Sequence, residues 1–299
     1  MAVLAVDVGG TKLAAALVGP DGRVTREARV PTDRADPWPG LARLVDDVRA
    51  GVDVEAVGVG CGGPMTWPAG EISPLNLPAW RGFPLRAALA EHLGAPVRLH
   101  NDAVCVALGE HWLGAGRGVD DLLGMVVSTG VGGGLVLGGR LVDGASGNAG
   151  HVGHLVVEPD GPPCGCGGRG CLEAVARGPA VVARARARGS AARDGRELVA
   201  AAAGGDAVAR EELGRAGRAL GIGIAGAAAL LDVRVVAVGG GLAAAGDALW
   251  SPLREELARR ARIGFLAPLR VLPAELGQRA GLVGAAALWL RGDRCWSGD

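Results

Sequence analysis

Asp7-Val8-Gly9-Gly10-Thr11-Lys12 follows a short apolar run, residues 2–6, with the pattern of a buried strand. Strands continue over Leu13 to Val18 and Val24 to Val30, with Gly19-Pro20-Asp21-Gly22 as the hairpin turn between them. The same order returns later. Leu123 to Val127 reads as a strand running into the loop Ser128-Thr129-Gly130-Val131-Gly132-Gly133-Gly134; strand Leu135 to Leu137, turn Gly138-Gly139 and strand Arg140 to Val142 follow. Strand, glycine loop, strand and hairpin thus occur twice, a weak internal repeat that predicts two related α/β domains. The break falls near residues 112–121, where Gly114-Ala115-Gly116-Arg117-Gly118 separates helix from strand, giving domains 1–116 and 117–281.

Between these landmarks, Ala56 to Gly60 reads as a strand entering Cys61-Gly62-Gly63-Pro64, and Val97 to His100 as a strand that delivers Asn101 and Asp102 ahead of a helix over 103–113. Helices are expected at 179–189, 196–203, 206–231, 249–263 and 282–290, with a strand over 233–238 ending in Gly239-Gly240-Gly241.

Bulk properties exclude several classes. The 299 residues balance 31 basic against 31 acidic side chains, without the basic surplus of a nucleic-acid binder. No apolar run is long and uncharged enough to span a bilayer. The strand begins at once, with no basic leader, so a cytoplasmic protein with reduced cysteines is expected. The 53 glycines and the absence of tyrosine point to coding pressure, which gives the only lysine, Lys12, more weight than any arginine.

His154, Cys164, Cys166 and Cys171 lie within one loop, 154–173, which ends in the carboxylate Glu173. Three thiolates and one imidazole complete a tetrahedral shell for structural zinc. Buried thiols or half of a disulfide set are the alternative; Cys-x-Cys spacing strains a mutual bond, and three cysteines leave one over. Cys61, Cys105 and Cys295 are scattered and read as small buried residues.

Glycine turns at strand ends bring backbone N–H groups together as anion nests. Gly9 and Gly10 admit a phosphate, Thr11 adds a hydroxyl, Lys12 a charge, and Asp7 a ligand for Mg²⁺ through water. Gly130 to Gly134 are expected to cradle other phosphates across a cleft, and Gly239 to Gly241 to pass a base or ribose. Any one loop could be a mere tight turn; three at strand ends favour a nucleotide. Asp102 is the candidate base for phosphoryl transfer, and Asn101-Asp102 also suits a helix N-cap; both roles can coexist.

Taken together, the Asp7–Lys12 loop, Ser73-Pro-Leu-Asn-Leu-Pro-Ala-Trp80, Asn101-Asp102, Ser128–Gly134, the His/Cys set with Glu173, and Val238-Gly-Gly-Gly241 resemble the ROK family (repressors, open reading frames, kinases), and its bacterial glucokinases most. The resemblance implies two actin-like, ribonuclease H-like domains with a cleft between them, and residues 282–299 packing back on the first. It implies an ATP-dependent hexose kinase using Mg²⁺ and structural Zn²⁺, acting on a hexose or hexose derivative, often as a homodimer or homotetramer. Asp102 matches the base that deprotonates the sugar, usually at the 6-hydroxyl. Gly63, Asn101, His154 and Glu173 match sugar contacts, and Asp7, Gly9, Gly10, Thr11, Thr129, Gly130 and Gly240 the ATP side.

One departure stands out. The family's Glu-x-Gly-His stretch reads His151-Val152-Gly153-His154 here. A carboxylate accepts from two hydroxyls; a neutral imidazole offers one donor and one acceptor. Losing a charged hydrogen bond costs roughly 1.5–3 kcal/mol, so His151, if it faces the sugar, shifts preference away from glucose; alternatively it turns aside near the metal. The family also contains sugar-sensing regulators with an N-terminal helix-turn-helix, which this chain does not show before the loop at residue 7. A weakly catalytic sugar binder and polyphosphate as donor are further alternatives; Asp102, Lys12 and the glycine loops favour the kinase.

Overall fold

Three short apolar runs, β1 (Val3–Val8), β4 (Ala56–Cys61) and β7 (Val97–Asn101), lie side by side as parallel strands in the computed structural model, which describes residues 2–74 and 76–298. Met1, Asp299 and Leu75 of the Ser73–Trp80 stretch lie outside the described residues. With the antiparallel β2 (Lys12–Val18) and β3 (Val24–Pro31), the sheet order is β3-β2-β1-β4-β7. Register sets Asp7, Gly60 and His100 level with one another, and Val8, Cys61 and Asn101 one residue further on. Parallel direction and matched register make the loops after β1, β4 and β7 leave the sheet at one end, where α/β sheets bind ligands.

One face of this sheet packs its branched residues, such as Val6 and Val59, against Leu41 and Leu44 of α1 (Pro37–Arg49) and Leu85 and Leu89 of α2 (Leu85–Leu93). The short hairpin β5 (Met65–Thr66) and β6 (Glu71–Ile72) precedes α2. The other face carries α3 (Asp102–Leu113) and α9 (Ala280–Leu290). These helices touch backbone to backbone: a Cβ on Gly284 would stand 1.5 Å from the Cys105 carbonyl oxygen. Glu110 fixes the approach from inside, fully buried, its carboxylate accepting from the N–H groups of Ala115, Glu275 and Leu276 at 2.9 Å each.

The second sheet has the order β10-β9-β8-β11-β12. Its strands are β8 (Leu122–Val127), β9 (Val131–Leu137), β10 (Arg140–Leu141), β11 (Val235–Gly239) and β12 (Arg270–Pro273), with β8, β11 and β12 parallel. Register pairs Val126 with Gly239, so the loops at Ser128 and Gly240 also emerge together. Helices α4 (Leu172–Ala176), α5 (Gly178–Ala187), α6 (Gly195–Ala203), α7 (Ala207–Leu231) and α8 (Asp247–Arg260) complete this part. Helices α6 and α7 start where Asp194 and Asp206 accept from the N–H groups of Glu197 and Ala209. Among the described residues no helix is long and apolar enough to cross a membrane.

The chain divides into two compact units: residues 1–120, 134–150 and 275–299 in one, 121–133 and 151–274 in the other. A single cut at residue 116 therefore differs from the structure over 134–150, which belong with the first unit. The reason is packing: a Cβ on Gly134 would lie 2.7 Å from Val104 Cα and 2.8 Å from Ala107 Cβ of α3. The same contact corrects the second glycine loop, which ends at Gly130; Val131 to Gly134 are already strand β9. The helix expected to reach residue 263 stops at Arg260.

Candidate functional site

In the first unit, Gly9 to Thr11 form the turn between β1 and β2. Gly9 N–H donates to the Lys12 carbonyl at 3.0 Å, and Thr32 braces the turn through its hydroxyl to the Gly9 carbonyl (2.7 Å) and its N–H to the Thr11 carbonyl (3.2 Å). Thr11 is exposed and Lys12 half-buried, its Nζ 3.5 Å from Gln278 Oε1. Asn101 caps α3, its Oδ1 accepting from Ala103 N–H at 2.9 Å. That commits the side-chain oxygen to the helix and leaves the Nδ2 donor, 3.5 Å from where a Cβ on Gly63 would stand. Asp102 Oδ1 accepts from the same N–H at 2.8 Å, while Oδ2 lies 3.9 Å from the Cβ position of Gly62. The N-cap falls on Asn101, and Asp102 is the first residue of α3.

Asp7 is the most perturbed carboxyl here. Burial, and next the negative charge of Asp102, push its pKa up to about 6, against weaker pulls from Lys12 and Arg29. Two acidic groups within electrostatic reach of one another, one of them buried, make a place where a divalent cation gains more than in water.

In the second unit, a tight turn at Ser128–Gly130 is closed by Ser128 N–H to the Gly130 carbonyl at 2.9 Å. Thr129 is exposed at its tip. Glu173, in the first turn of α4, accepts from Val131 N–H through Oε2 at 2.9 Å, and a Cβ on Gly130 would meet that oxygen at 2.7 Å. A residue assigned to ATP and one assigned to sugar are therefore neighbours. Gly153 packs on the same spot, its Cβ position 2.0 Å from the Val131 carbonyl. Gly240 has φ +93° and a Cβ position 2.3 Å from the Val127 carbonyl, so only glycine fits beside the end of β8.

His151 and His154 flank a single helical turn, with ring centroids 6.4 Å apart and planes within 12°. His154 Nδ1 stands 3.8 Å from Cys164 Sγ, and Cys166 Sγ the same distance from Cys171 Sγ. All four donor atoms lie within 4.8 Å of one another. Ligands bonded at 2.3 Å around a tetrahedral zinc sit about 3.8 Å apart, so the set matches that shell, and the cysteines are free thiols. Burial and then the neighbouring sulfurs of Cys164 and Cys166 push the Cys171 thiol up to about 12, while hydrogen bonds from the Gly168 backbone and then from Cys164 and Cys171 hold the Cys166 thiol below its ordinary value.

The model of the ROK family matches residues 3–292. The chain belongs to the ROK family. It is 36% identical to a glucokinase of Thermotoga maritima over 306 residues, covering 96% of each chain. It is 37% identical to an N-acetylmannosamine kinase of Shigella flexneri over 296 residues, covering 96% of this chain and 98% of that one. Its fold superimposes with a TM-score of 0.85 on a ROK glucokinase from Streptomyces griseus, solved in complex with glucose and AMPPNP, at 35% identity and covering 98% and 100% of the two chains. Within ROK, this chain is an ATP-dependent sugar kinase with the actin-like two-domain α/β fold of that family.

Two ROK site neighbours escape the sequence. Asn76 reaches back so that its Nδ2 lies 2.6 Å from the Cβ position of Gly10, and its Oδ1 lies 3.9 Å from that of Gly62, the same separation as Asp102 Oδ2. The Ser73–Trp80 motif contains Asn76 without marking it. Arg29, on β3, stands near enough to Asp7 to oppose its protonation. In a chain where almost every cation is arginine, nothing distinguishes it.

Proposed function

We propose that this kinase transfers the γ-phosphoryl group of ATP to the 6-hydroxyl of a hexose or 2-acetamidohexose, with Asp102 as general base. The observation that carries this is the Asp102 carboxylate: one oxygen is held by Ala103 N–H, and the other lies 3.9 Å from the Cβ position of Gly62, as does Asn76 Oδ1. A substrate hydroxyl hydrogen-bonded to Oδ2 passes its proton to Asp102 as its oxygen bonds to the γ-phosphorus and the bond to the ADP oxygen breaks. Asn101 Nδ2 and the backbone at Gly63 match sugar contacts of the family, and so do the positions of His151, His154 and Glu173. The amides of Gly9, Gly10 and Gly130, with Lys12, Thr11 and Thr129, hold phosphates, and Gly240 passes the adenosine.

Asp7 would hold Mg²⁺ through water; the ion supplies charge neutralisation at the phosphates. His154, Cys164, Cys166 and Cys171 would hold Zn²⁺, which closes the loop and fixes His154 and Glu173 at its two ends. Four protein donors leave no open position, so this metal stiffens the site rather than reacting.

His151 decides between sugars. A carboxylate can only accept, which suits vicinal hydroxyls. An acetamido substituent presents a carbonyl oxygen, which needs a donor, and imidazole N–H is one. The relatives include both sugar classes, a glucokinase at 36% identity and an N-acetylmannosamine kinase at 37%, so His151 and not overall similarity carries the preference. A coupled ADP-release screen over hexoses and N-acetylhexosamines, with the product position read by NMR, tests the reading. Turnover is expected with an N-acetylhexosamine in preference to glucose, phosphorylated at O6; absence of turnover with every sugar would refute it.

A further inference from the structure

His100 immediately precedes Asn101 and Asp102, and it is almost fully buried, with 1% of its surface exposed. Its Nδ1 accepts a hydrogen bond from the Asn101 N–H at 2.8 Å. A backbone amide can only donate, so Nδ1 carries no proton and the ring is the Nε2–H tautomer. Nε2 lies 3.0 Å from Asp143 Oδ1, which accepts that proton's hydrogen bond, and Ser297 Oγ donates to Asp143 Oδ2 at 2.5 Å. The hydrogen bonds form one directed chain, from Asn101 N–H into the imidazole and from the imidazole into Asp143. Strand β7 is the edge of its sheet, and at its last residue the imidazole receives the N–H that a further strand would otherwise take.

Packing holds the chain in register. The Trp67 ring lies 4.7 Å from the His100 ring and 4.6 Å from the Trp296 ring, centroid to centroid. Asp143 begins the loop that runs on to His151, and its carbonyl accepts from Ala149 N–H at 3.0 Å. The same loop presses Gly147, at φ +74°, against Trp67, where a Cβ would stand 2.6 Å from the tryptophan Cβ.

We propose that His100 and Asp143 are positioning residues for phosphoryl transfer: Asp143 fixes the imidazole tautomer, and Nδ1 in turn fixes the His100–Asn101 peptide, one residue ahead of Asp102. This rests on Asp102 being the base. Neither residue touches substrate; each acts by keeping the base where the sugar oxygen meets it. The tautomer is the sensitive element. Without an acceptor at Nε2 the ring can place its proton on Nδ1, where it opposes the Asn101 N–H.

Two isosteric variants separate positioning from bulk stability. In His100→Asn the amide oxygen occupies the Nδ1 position and still accepts from Asn101 N–H. In His100→Gln the amide reaches the Nε2 position and keeps Asp143 but offers no acceptor at Nδ1. Both remove a buried ring, so both lose comparable packing. kcat is measured with the sugar turned over fastest, together with KM for sugar and ATP and thermal melts. Small displacements of catalytic groups cost up to about a hundredfold, so kcat of His100→Gln is expected about tenfold to a hundredfold below that of His100→Asn, with KM for ATP alike in the two. Equal kcat values, or the reverse order, would overturn the proposal. Should either variant fail to fold, Asp143→Asn against Asp143→Ala gives the same readout: the asparagine retains near wild-type kcat and the alanine falls, and equal values again overturn it. Asp102→Asn, assayed in parallel, tests the underlying reading by itself; if it keeps wild-type kcat, the base assignment fails whatever the His100 pair does.

Discussion

Replacing Asp7 by asparagine should make the ligand-free protein more stable while it disables the enzyme. Burial and the charge of Asp102 raise the Asp7 pKa from 3.8 to about 6 in the folded chain. Below 3.8 both folded and unfolded states carry the proton, and burial costs nothing through this group. Between 3.8 and 6 the unfolded chain has released it and the folded chain has not, so the folded state binds more protons and stability falls as pH rises. Above 6 the full penalty stands: a rise of about two units at 1.36 kcal/mol each, about 3 kcal/mol. The substituted amide keeps the shape and removes the charge. Thermal melts without Mg²⁺ or nucleotide should show Asp7→Asn ahead by about 6–12 °C at pH 8, and level with wild type near pH 3.5. Added Mg²⁺ and ATP should then stabilise wild type more than the variant, because the cation rewards the ionised form. A variant that is no more stable at pH 8, or whose advantage is the same at both pH values, refutes the account of Asp7 as a strained carboxylate awaiting a cation.

Four more outcomes follow from the same geometry. Asp102→Asn should lower kcat by about a hundredfold or more with a small change in sugar KM, checked by steady-state kinetics. Cys166→Ser, at the exposed thiol of the cluster, should lose stoichiometric zinc by elemental analysis and lower the melting temperature and activity together; activity that survives verified demetallation contradicts the structural role. His151→Glu should raise kcat/KM for glucose relative to N-acetylmannosamine by about tenfold, the worth of one charged hydrogen bond. Gly240→Ala drives a Cβ to within 2.3 Å of the Val127 carbonyl, and calorimetric titration should show loss of ATP binding in whatever fraction folds.

Residues that the sequence exposes are those whose chemistry is local. The proposed zinc ligands and Glu173 fall within twenty residues, and their donor types are those of a metal site. Asp7 and Asn101-Asp102 stand where an apolar run ends, so a strand tip carrying polar groups is visible without coordinates. What hides depends on distance along the chain. Asn76 matters because it meets Gly10, and Gly134 is a strand residue because α3 lies on it; neither contact leaves a mark on its neighbours. Helix α1 begins Pro37-Trp38-Pro39; proline suits the first turn, where an N–H has no partner anyway, but no element is expected there from the sequence alone. The bond between His100 and Asp143 joins residues whose spacing has no period to detect.

The proposed sugar-side groups share one construction. Asn101 gives its Oδ1, and Asp102 its Oδ1, to the Ala103 N–H. Glu173 gives Oε2 to the Val131 N–H. His154 turns Nδ1 toward Cys164. Each side chain commits one atom to the protein and, in the proposed complex, offers its other polar atom to the ligand. A side chain tied at one atom has already lost its rotamers on folding, and that loss does not recur when sugar binds. At about 0.5–1.5 kcal/mol per ordered side chain, four such ties withhold about 2–6 kcal/mol from the cost of binding. The same ties narrow choice, because a fixed donor cannot turn into an acceptor to suit a different sugar. In the proposed complex His151 is the position where this chain departs from the family's pattern, and with its neighbours tied in this way the exchange of carboxylate for imidazole there would reach the sugar without rearrangement of those four groups.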